Sequence, residues 1–376
     1  ARECAQSLMQ VLDAAVGAAH EQERDLGAHG RHDHEALVAD ERHRRRRRPL
    51  LQAQATVLLD DPHYGEAVEV APLIRRVIAK NPSKFTYQGT GTYIVGRGDV
   101  AVIDPGPLSD SHRAALIAAL EGERVVAILI THCHSDHSPL AAWLREYSGA
   151  PTIAYGPHAL DPDWVDDDTP DEPDAEEVAA AAAAEAAGEP KVQETLDVDF
   201  DPDVRVADGE IAASGEGWTI RAVHTPGHTS NHMCYWLEEQ HALFTGDHVM
   251  GWSTTVITPP DGNMRNYLTS LQRVKDLAPA VMWPTHGAPV TDGATFIDEY
   301  VQHRLDREAG VLAAVRAGTS MIPDIVEQLY VGVDQKLHKA AGRSVLAHMI
   351  KLVEDGKVTF EGTQPGVTTP YHPVGE

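Results

Sequence analysis

The stretch Thr131-His132-Cys133-His134-Ser135-Asp136-His137 decides the fold, because it places four potential metal ligands in one short loop. The apolar, β-branched run at 125–130 precedes it and predicts a buried strand that ends where the loop begins. The first two histidines alternate along the chain and should project to the same side, whereas the aspartate and the last histidine lie beyond the strand and can face a second ion. Imidazoles with a carboxylate suit zinc, and also iron or manganese. The alternative is a surface loop that happens to be rich in histidine.

Length, charge and cysteine content restrict the class of protein. The 376 residues are enough for one large domain and a smaller one. The formal net charge of −26 argues against general binding to nucleic-acid backbones or anionic membranes. Cys4, Cys133 and Cys234 show no paired spacing, so we expect no disulfide framework and a reducing, cytoplasmic location. No apolar run is long enough to cross a bilayer, and no membrane partner is predicted.

Composition separates an N-terminal extension from a catalytic domain in the first three quarters of the chain. Residues 1–66 contain an arginine run at 44–48, which favours a disordered extension, with a nucleic-acid or localisation tail as the alternative. Residues 67–295 alternate strand-like and helix-like patterns and are predicted to form the catalytic domain. Within it, the acidic and alanine-rich stretch at about 161–194 predicts an exposed, partly helical insertion, with a lid or cation trap as the alternative.

The second half of the chain supplies three more candidate ligands, each after a strand-like run. A Pro-Gly turn is predicted to direct His228 back toward the edge of the sheet. Asp247 follows such a run, and a carboxylate there can bridge two cations with one oxygen each. His286 follows another run and would give the second ion an imidazole. Several strand ends therefore converge on one set of ligands.

Other polar residues near these ligands are predicted to support them. His224 is expected to be a packed or supporting histidine, and the side chain of His248 should point opposite to that of Asp247. Asp104 precedes Pro-Gly, where capping a turn or supporting a ligand is more common than catalysis. Four threonines beside ligands are either hydrogen-bonding supports or plain β-formers: Thr131, Thr225, Thr245 and Thr285.

This set of residues resembles the signature of the metallo-β-lactamase superfamily. His132, His134, Asp136 and His137 match its HxHxDH motif, and His228, Asp247 and His286 match its later ligands in order. The resemblance covers roughly residues 67–287 and implies an α/β fold, a four-layer αββα sandwich with the site at one edge of two mixed sheets. It implies two Zn²⁺ ions: one held by His132, His134 and His228, the other by Asp136, His137 and His286, with Asp247 bridging both.

The end of the chain narrows the resemblance. Residues 296–361 predict a helical domain, with apolar stripes at 322–329 and 345–353 and a short wing strand at 357–360. This arrangement is similar to the C-terminal winged helix of lactamase-β-like hydrolases, a branch that includes endoribonucleases and glyoxalase II-like proteins. Residues 362–376 are predicted to be a tail. Ser138-Pro139-Leu140 departs from the small, Gly-rich residues of many members, which leaves metal binding intact and bears on the adjacent substrate pocket.

The ligand chemistry predicts a dinuclear metal-dependent hydrolase that uses a metal-bound hydroxide. Two dications about 3.5–4 Å apart lower the pKa of a bridging water toward neutrality. Asp136 is the predicted catalytic residue, because a carboxylate hydrogen-bonded to that water can orient it and carry a proton to the leaving group.

Three functions remain open. A small ester, thioester or lactam agrees with the acidity of the chain and is preferred. The alternative is an endoribonuclease or phosphodiesterase that takes RNA as its partner, which the winged helix and five cations would support: Lys336, Lys339, Arg343, Lys351 and Lys357. A mononuclear-iron oxidoreductase needs only a His/His/Asp set, and the presence of seven ligands makes it the weakest alternative. The sequence leaves the oligomeric state open.

Overall fold

The computed structural model of the chain describes residues 61–158, 163–165, 167, 195–332 and 335–375. The predicted N-terminal extension, with its arginine run, and the predicted acidic insertion lie almost entirely outside these residues. The two β-sheets of the predicted catalytic region lie within them.

The first sheet has seven strands whose order across the sheet follows their order in the chain: β1 (Val68–Ala71), β2 (Ile74–Ile78), β3 (Gly91–Arg97), β4 (Asp99–Ile103), β5 (Arg124–Leu129), β6 (Thr152–Ala154) and β7 (Val204–Arg205). The predicted hairpin is present, because β3 pairs antiparallel with β4. From β4 onward neighbouring strands are parallel. Helices α1 (Asp110–Ala119) and α2 (Leu140–Ser148) make the first two crossovers.

The second sheet has five strands: β8 (Ile211–Gly215), β9 (Trp218–His224), β10 (Met233–Leu237), β11 (Ala242–Gly246) and β12 (Val281–Pro284). Successive strands are antiparallel up to β11, which pairs parallel with β12. Helix α3 (Met264–Leu277) makes that crossover. Strands β9, β11 and β12 therefore run in the same direction and end at the same edge.

The two sheets pack face to face around one apolar core. Tyr93 and Leu129 of the first sheet and Phe244 and Trp283 of the second are buried there. The Tyr93 hydroxyl donates to the Pro284 carbonyl at 2.7 Å, so its polar end is satisfied inside the core. Separate apolar clusters join α1 and α2 to the outer face of the first sheet and α3 to that of the second. The predicted four-layer αββα sandwich is confirmed.

A C-terminal helical unit follows the sandwich: α4 (Gly293–Arg316), α5 (Ile322–Leu329), α6 (His338–Glu354), β13 (Val358–Phe360) and β14 (Tyr371–Pro373). Its apolar core joins the second half of α4 to α5 and α6. Strand β14 pairs antiparallel with β13 and lies in the stretch that the sequence predicts as a tail. Sequence periodicity does not reveal a three-residue strand; this one pairs with β13 and buries Tyr371 in the core of the unit.

A Tyr371→Phe variant should lose about 1 kcal/mol of unfolding free energy, because the buried hydroxyl donates to the Gly366 carbonyl at 2.9 Å. Urea unfolding measures the difference. The control is Tyr147→Phe at an exposed position of α2, which should stay within about 0.5 kcal/mol of the parent. Equal stability of the two variants would mean that the hydroxyl does not anchor the wing.

Candidate metal centre

Five strand-end loops meet at one edge of the sandwich. They follow β4 and β5, which are parallel neighbours, and β9, β11 and β12, which run in one direction in the second sheet. Because the carboxyl ends of strands that run in one direction lie at the same edge, the side chains that follow them are brought together. All seven predicted ligands lie at this edge, in three His/Asp groups, and the ligand atoms within each group lie close to one another.

The first group consists of His132, His134 and His228. The His132 Nε2 and His134 Nδ1 atoms lie 2.9 Å apart, and His228 Nε2 lies 3.1 Å from the same His134 nitrogen. The predicted alternation therefore brings both motif histidines to one point, and the turn after β9 delivers the third. Three imidazole nitrogens converging in this way are a ligand set typical of zinc.

The second group consists of Asp136, His137 and His286. Asp136 Oδ2 lies 3.3 Å from His137 Nε2 and 3.2 Å from His286 Nε2. It also accepts a hydrogen bond from the Thr90 hydroxyl at 2.8 Å. One carboxylate oxygen and two imidazole nitrogens thus surround a second point.

The Asp247 carboxylate lies between the two groups. Its Oδ1 is 3.4 Å from His286 Nε2 and 3.6 Å from His137 Nε2, whereas its Oδ2 is 3.9 Å from His228 Nε2. A third close group, His132, His137 and Asp247, connects the same atoms across the centre. One oxygen is therefore directed to each side.

The unpaired polar atoms of the site fit a bound cation. His137 Nε2 and Asp247 Oδ1 are fully buried, and neither has a hydrogen-bond partner in the part of the chain that the structure describes. Leaving a buried polar atom unpaired costs about 1–3 kcal/mol. A dication between imidazole and carboxylate would satisfy both atoms, so the residues present fit the metal that the sequence implies.

The outward-facing nitrogens of four imidazoles are held by the protein. His228 Nδ1 donates to the Val256 carbonyl at 2.6 Å, and His286 Nδ1 donates to the Gly89 carbonyl at 3.1 Å. His137 Nδ1 donates to Asp104 Oδ2 at 2.9 Å, and His132 Nδ1 lies 3.0 Å from the Thr131 hydroxyl oxygen. Because Nδ1 carries the proton in each case, Nε2 keeps its lone pair for a metal.

Burial and neighbouring charge separate the two groups electrostatically. Burial lowers the pKa of His132 well below its usual value and that of His134 to about 3, so both imidazoles are neutral at pH 7. Burial also acts to lower the pKa of His137, but Asp136, Asp247 and Asp104 raise it well above its usual value. The carboxylates therefore favour positive charge at the second point, which a dication would supply.

Asp104 supports the loop and a ligand at once, as the sequence suggested. Its Oδ1 accepts from the Thr131 backbone N–H at 2.8 Å, and its Oδ2 accepts from the Thr131 hydroxyl at 2.7 Å. The Thr285 hydroxyl donates weakly to the same Oδ2 at 3.3 Å. Thr131 and Thr285 thus support Asp104 by hydrogen bonds, whereas the Thr245 hydroxyl donates to the Val249 carbonyl.

His224 and His248 lie outside the three ligand groups, as the sequence predicts. His224 stacks on Tyr155 with ring centroids 3.9 Å apart. His248 is fully buried beside Tyr267, and burial lowers its pKa to about 3.

His232 is a supporting residue that the sequence analysis missed. Its Nε2 accepts from the Asp247 backbone N–H at 3.2 Å, so its Nδ1 carries the proton and donates to the Thr225 hydroxyl at 2.9 Å. The residue is fully buried just before β10. The only sequence signal is its position four residues after His228 in a polar stretch. His232 therefore helps to fix where the Asp247 backbone lies.

The αββα sandwich with paired His/Asp groups at one sheet edge defines the class of metallo-β-lactamase-fold proteins. The chain belongs to the metallo-beta-lactamase superfamily, whose family model matches residues 86–286. Residues 322–366 match the family described as the beta-lactamase associated winged helix domain. The family and the fold class expected from the sequence are confirmed.

Relatives and solved structures agree with this assignment. The chain is 33% identical over 319 residues to the lactamase-like protein adaB of Aspergillus niger, covering 80% of this chain and 86% of that protein. It is 31% identical over 314 residues to an atrochrysone carboxyl ACP thioesterase of Aspergillus chevalieri, covering 80% and 87%. A beta-lactamase domain protein from Burkholderia ambifaria has a TM-score of 0.65 at 25% identity, covering 85% and 97%. Together these similarities identify a hydrolase-like protein.

None of the described helices is both long enough and apolar enough to cross a membrane.

Proposed function

We propose that this chain is a dinuclear metal-dependent hydrolase that cleaves a small thioester, with esters and lactams as related substrates. The observation that carries the proposal is the position of Asp247, whose two oxygens face two separate ligand groups. The choice of a thioester rests on the relative named as an acyl carrier protein thioesterase. Zinc is the proposed metal because three imidazoles form one of the groups, and iron or manganese also suit the set.

Each proposed ligand has a defined task. His132, His134 and His228 would hold one ion, Asp136, His137 and His286 the other, and Asp247 both. When bound, two dications would supply a hydroxide nucleophile near neutral pH and polarise the scissile carbonyl. The hydrogen bonds behind the imidazoles keep their rings oriented during the reaction.

Asp136 is the proposed proton carrier as well as a ligand. Its side chain is 15% exposed, compared with 7% for Asp247, so it is the carboxylate that faces the open side of the site. Burial acts to raise the pKa of Asp136, but His137 and His286 hold it well below its usual range, so it is an ionised acceptor at neutral pH. An acceptor at the open side could take the remaining proton of the attacking hydroxide, once its oxygen has added to the carbonyl carbon, and pass it to the thiolate as the C–S bond breaks.

Two of the five basic residues that would support an RNA substrate are paired with carboxylates. Lys351 Nζ lies 2.9 Å from Glu308 and 3.0 Å from Asp355, and Lys357 Nζ lies 3.3 Å from Asp355. Paired lysines contribute little to phosphate binding. The side chain of Lys336 lies outside the described residues. The small-substrate proposal is therefore preferred to the endoribonuclease alternative.

Metal analysis and a substrate panel test the proposal. We expect close to two transition-metal ions per chain, and thiol release from short acyl thioesters that stops after chelation and returns with Zn²⁺. The panel should include an ester, a lactam, a phosphodiester and single-stranded RNA. Cleavage of RNA or phosphodiester without thioester turnover would overturn the substrate assignment, and one ion per chain would overturn the dinuclear assignment.

Replacing Lys336, Lys339 and Arg343 together by Ala should change thioester turnover little, because surface changes usually stay within about 0.5 kcal/mol each. RNA binding by the parent protein should be weak at physiological salt. His132→Ala is the control that should abolish hydrolysis. Tight RNA binding, with a salt dependence that flattens by about 0.7 log unit per log unit for each lost phosphate contact, would instead favour the nuclease.

A further inference from the structure

We propose that Tyr300 and Arg304 of helix α4 are positioning residues for the metal centre, acting through the loop 247–257. This loop begins at Asp247 and runs behind His228. The inference rests on the metal centre proposed above and assigns a role to the helix that joins the sandwich to the C-terminal unit.

The loop carries hydrogen bonds to both ligands. The Thr255 hydroxyl lies 2.8 Å from the Asp247 carbonyl and 3.0 Å from the His248 carbonyl, and donates to this pair. The next residue, Val256, supplies the carbonyl that accepts from His228 Nδ1 at 2.6 Å. A shift of Thr255 and Val256 would therefore move the backbone of one ligand and rotate the ring of the other.

Helix α4 holds this loop from its far side. The Tyr300 hydroxyl lies 2.8 Å from the Met250 carbonyl and also contacts the Ser253 carbonyl. One turn later, Arg304 Nη2 donates to the Thr255 carbonyl. Residues four apart lie on the same face of a helix, so both side chains reach the loop together.

The environment of Arg304 indicates that the hydrogen bond is its particular contribution. The residue is only 4% exposed, no described residue forms an ion pair with it, and its buried Nε has no hydrogen-bond partner among the described residues. Its guanidinium instead lies 5.6 Å from the centre of the Tyr267 ring, and the Tyr267 hydroxyl donates to the His248 carbonyl at 2.9 Å. Burying a charge without an acid partner is costly, and an apolar side chain of similar size would pack at lower cost. What an apolar residue would not supply is the donor to Thr255.

Helix α4 is held at both ends, by the sandwich and by the C-terminal unit. The first half of α4, with Ile297 and Tyr300, is buried against the second sheet and α3. The second half, with Val311 and Val315, is buried in the core of the C-terminal unit. Arg304 lies between these two packed halves, so the packing of the C-terminal unit contributes to its position at the loop.

Arg307 provides a matched control on the same helix. It is also buried, at 7% exposure, and its guanidinium stacks over the Tyr330 ring with 4.3 Å to the centroid. Its backbone contact is with the Leu329 carbonyl at 3.5 Å, in the C-terminal unit and away from the loop. Arg307→Met thus removes a buried guanidinium and an aromatic stack without touching the loop 247–257.

The test uses the full chain loaded with Co²⁺, whose visible absorption reports the geometry of the ligands. We expect Arg304→Met to change this spectrum and to speed metal loss to EDTA about 10-fold, the lower end of what outer hydrogen-bond partners usually contribute. Arg307→Met should keep the parent spectrum and rate even where thermal stability falls. Tyr300→Phe should change the same two quantities in the same direction, and it decides the matter if Arg304→Met does not fold.

Two results would overturn the inference. Parent-like spectra and metal-loss rates in both Arg304→Met and Tyr300→Phe would show that α4 only stabilises the fold, as would equal changes in Arg307→Met. If the parent chain bound no Co²⁺, the metal centre itself would be wrong and this inference with it. A parent that binds two ions but hydrolyses no thioester would overturn only the proposed substrate.

Discussion

An Asp247→Ala variant is expected to bind no more than one metal ion per chain and to lose nearly all hydrolytic activity. Among the described residues, Asp247 alone is close to ligands of both groups through two different oxygens. Losing a bridged ion removes several kcal/mol of charge stabilisation in the transition state, and about 4 kcal/mol corresponds to a roughly 1,000-fold lower rate. Elemental analysis and thiol-release kinetics on the same sample measure both effects.

Asp276→Ala is the control for that experiment. Asp276 is an exposed aspartate on α3 whose carboxylate accepts from Gln272 at 2.8 Å, so metal content and rate should match the parent. Full metal content and activity in Asp247→Ala would show that the two groups do not share a bridging carboxylate.

An Asp104→Ala variant should lose about 3–5 kcal/mol of unfolding free energy, the usual cost of removing one partner from a buried charged network. The Asp104 carboxylate accepts from the Thr131 N–H, the Thr131 hydroxyl, His137 Nδ1 and, weakly, the Thr285 hydroxyl, and these buried donors would lose their acceptor. Urea unfolding in the presence of EDTA measures the loss independently of any metal.

The Asp104→Asn variant separates the effect of Asp104 on stability from its effect on metal binding. The Asn side chain keeps the size and one oxygen for Thr131, but its amide nitrogen cannot accept from His137. We expect a smaller loss of stability together with metal affinity weaker by about 10–100-fold. An Asn variant with parent-like metal affinity would mean that Asp104 supports only the turn.

The sequence predicted that these seven residues would come together, and part of that signal is local. Alternation along one strand places His132 and His134 together, and a strand end explains why Asp136 and His137 face a different point. The remaining candidates, His228, Asp247 and His286, each follow a strand of the second sheet, and these three strands end at the same edge.

The residues behind the ligands were predicted less completely. Asp104 was predicted to cap a turn or support a ligand because these roles are more common than catalysis for Asp before Pro-Gly, but its partner could not be named from the sequence. The Val256 and Gly89 carbonyls, which accept from His228 and His286, could not be predicted from the sequence, since any residue provides a carbonyl. Arg304 was missed because its partner, Thr255, is 49 positions away in the sequence, and only the folded structure brings the two residues into contact.

Helix α4 is shared by two apolar cores, which makes the chain poorly divisible. A fragment ending at His286 would keep every proposed ligand and lose Ile297 and Tyr300 from the outer face of the second sheet. The helical unit cut off on its own would lack Val311 and Val315 unless it kept the same helix. Neither half can therefore melt far ahead of the other, and the two are expected to unfold cooperatively. Exchange of the C-terminal unit between relatives, by recombination or by design, would have to carry α4 and its contacts as one block.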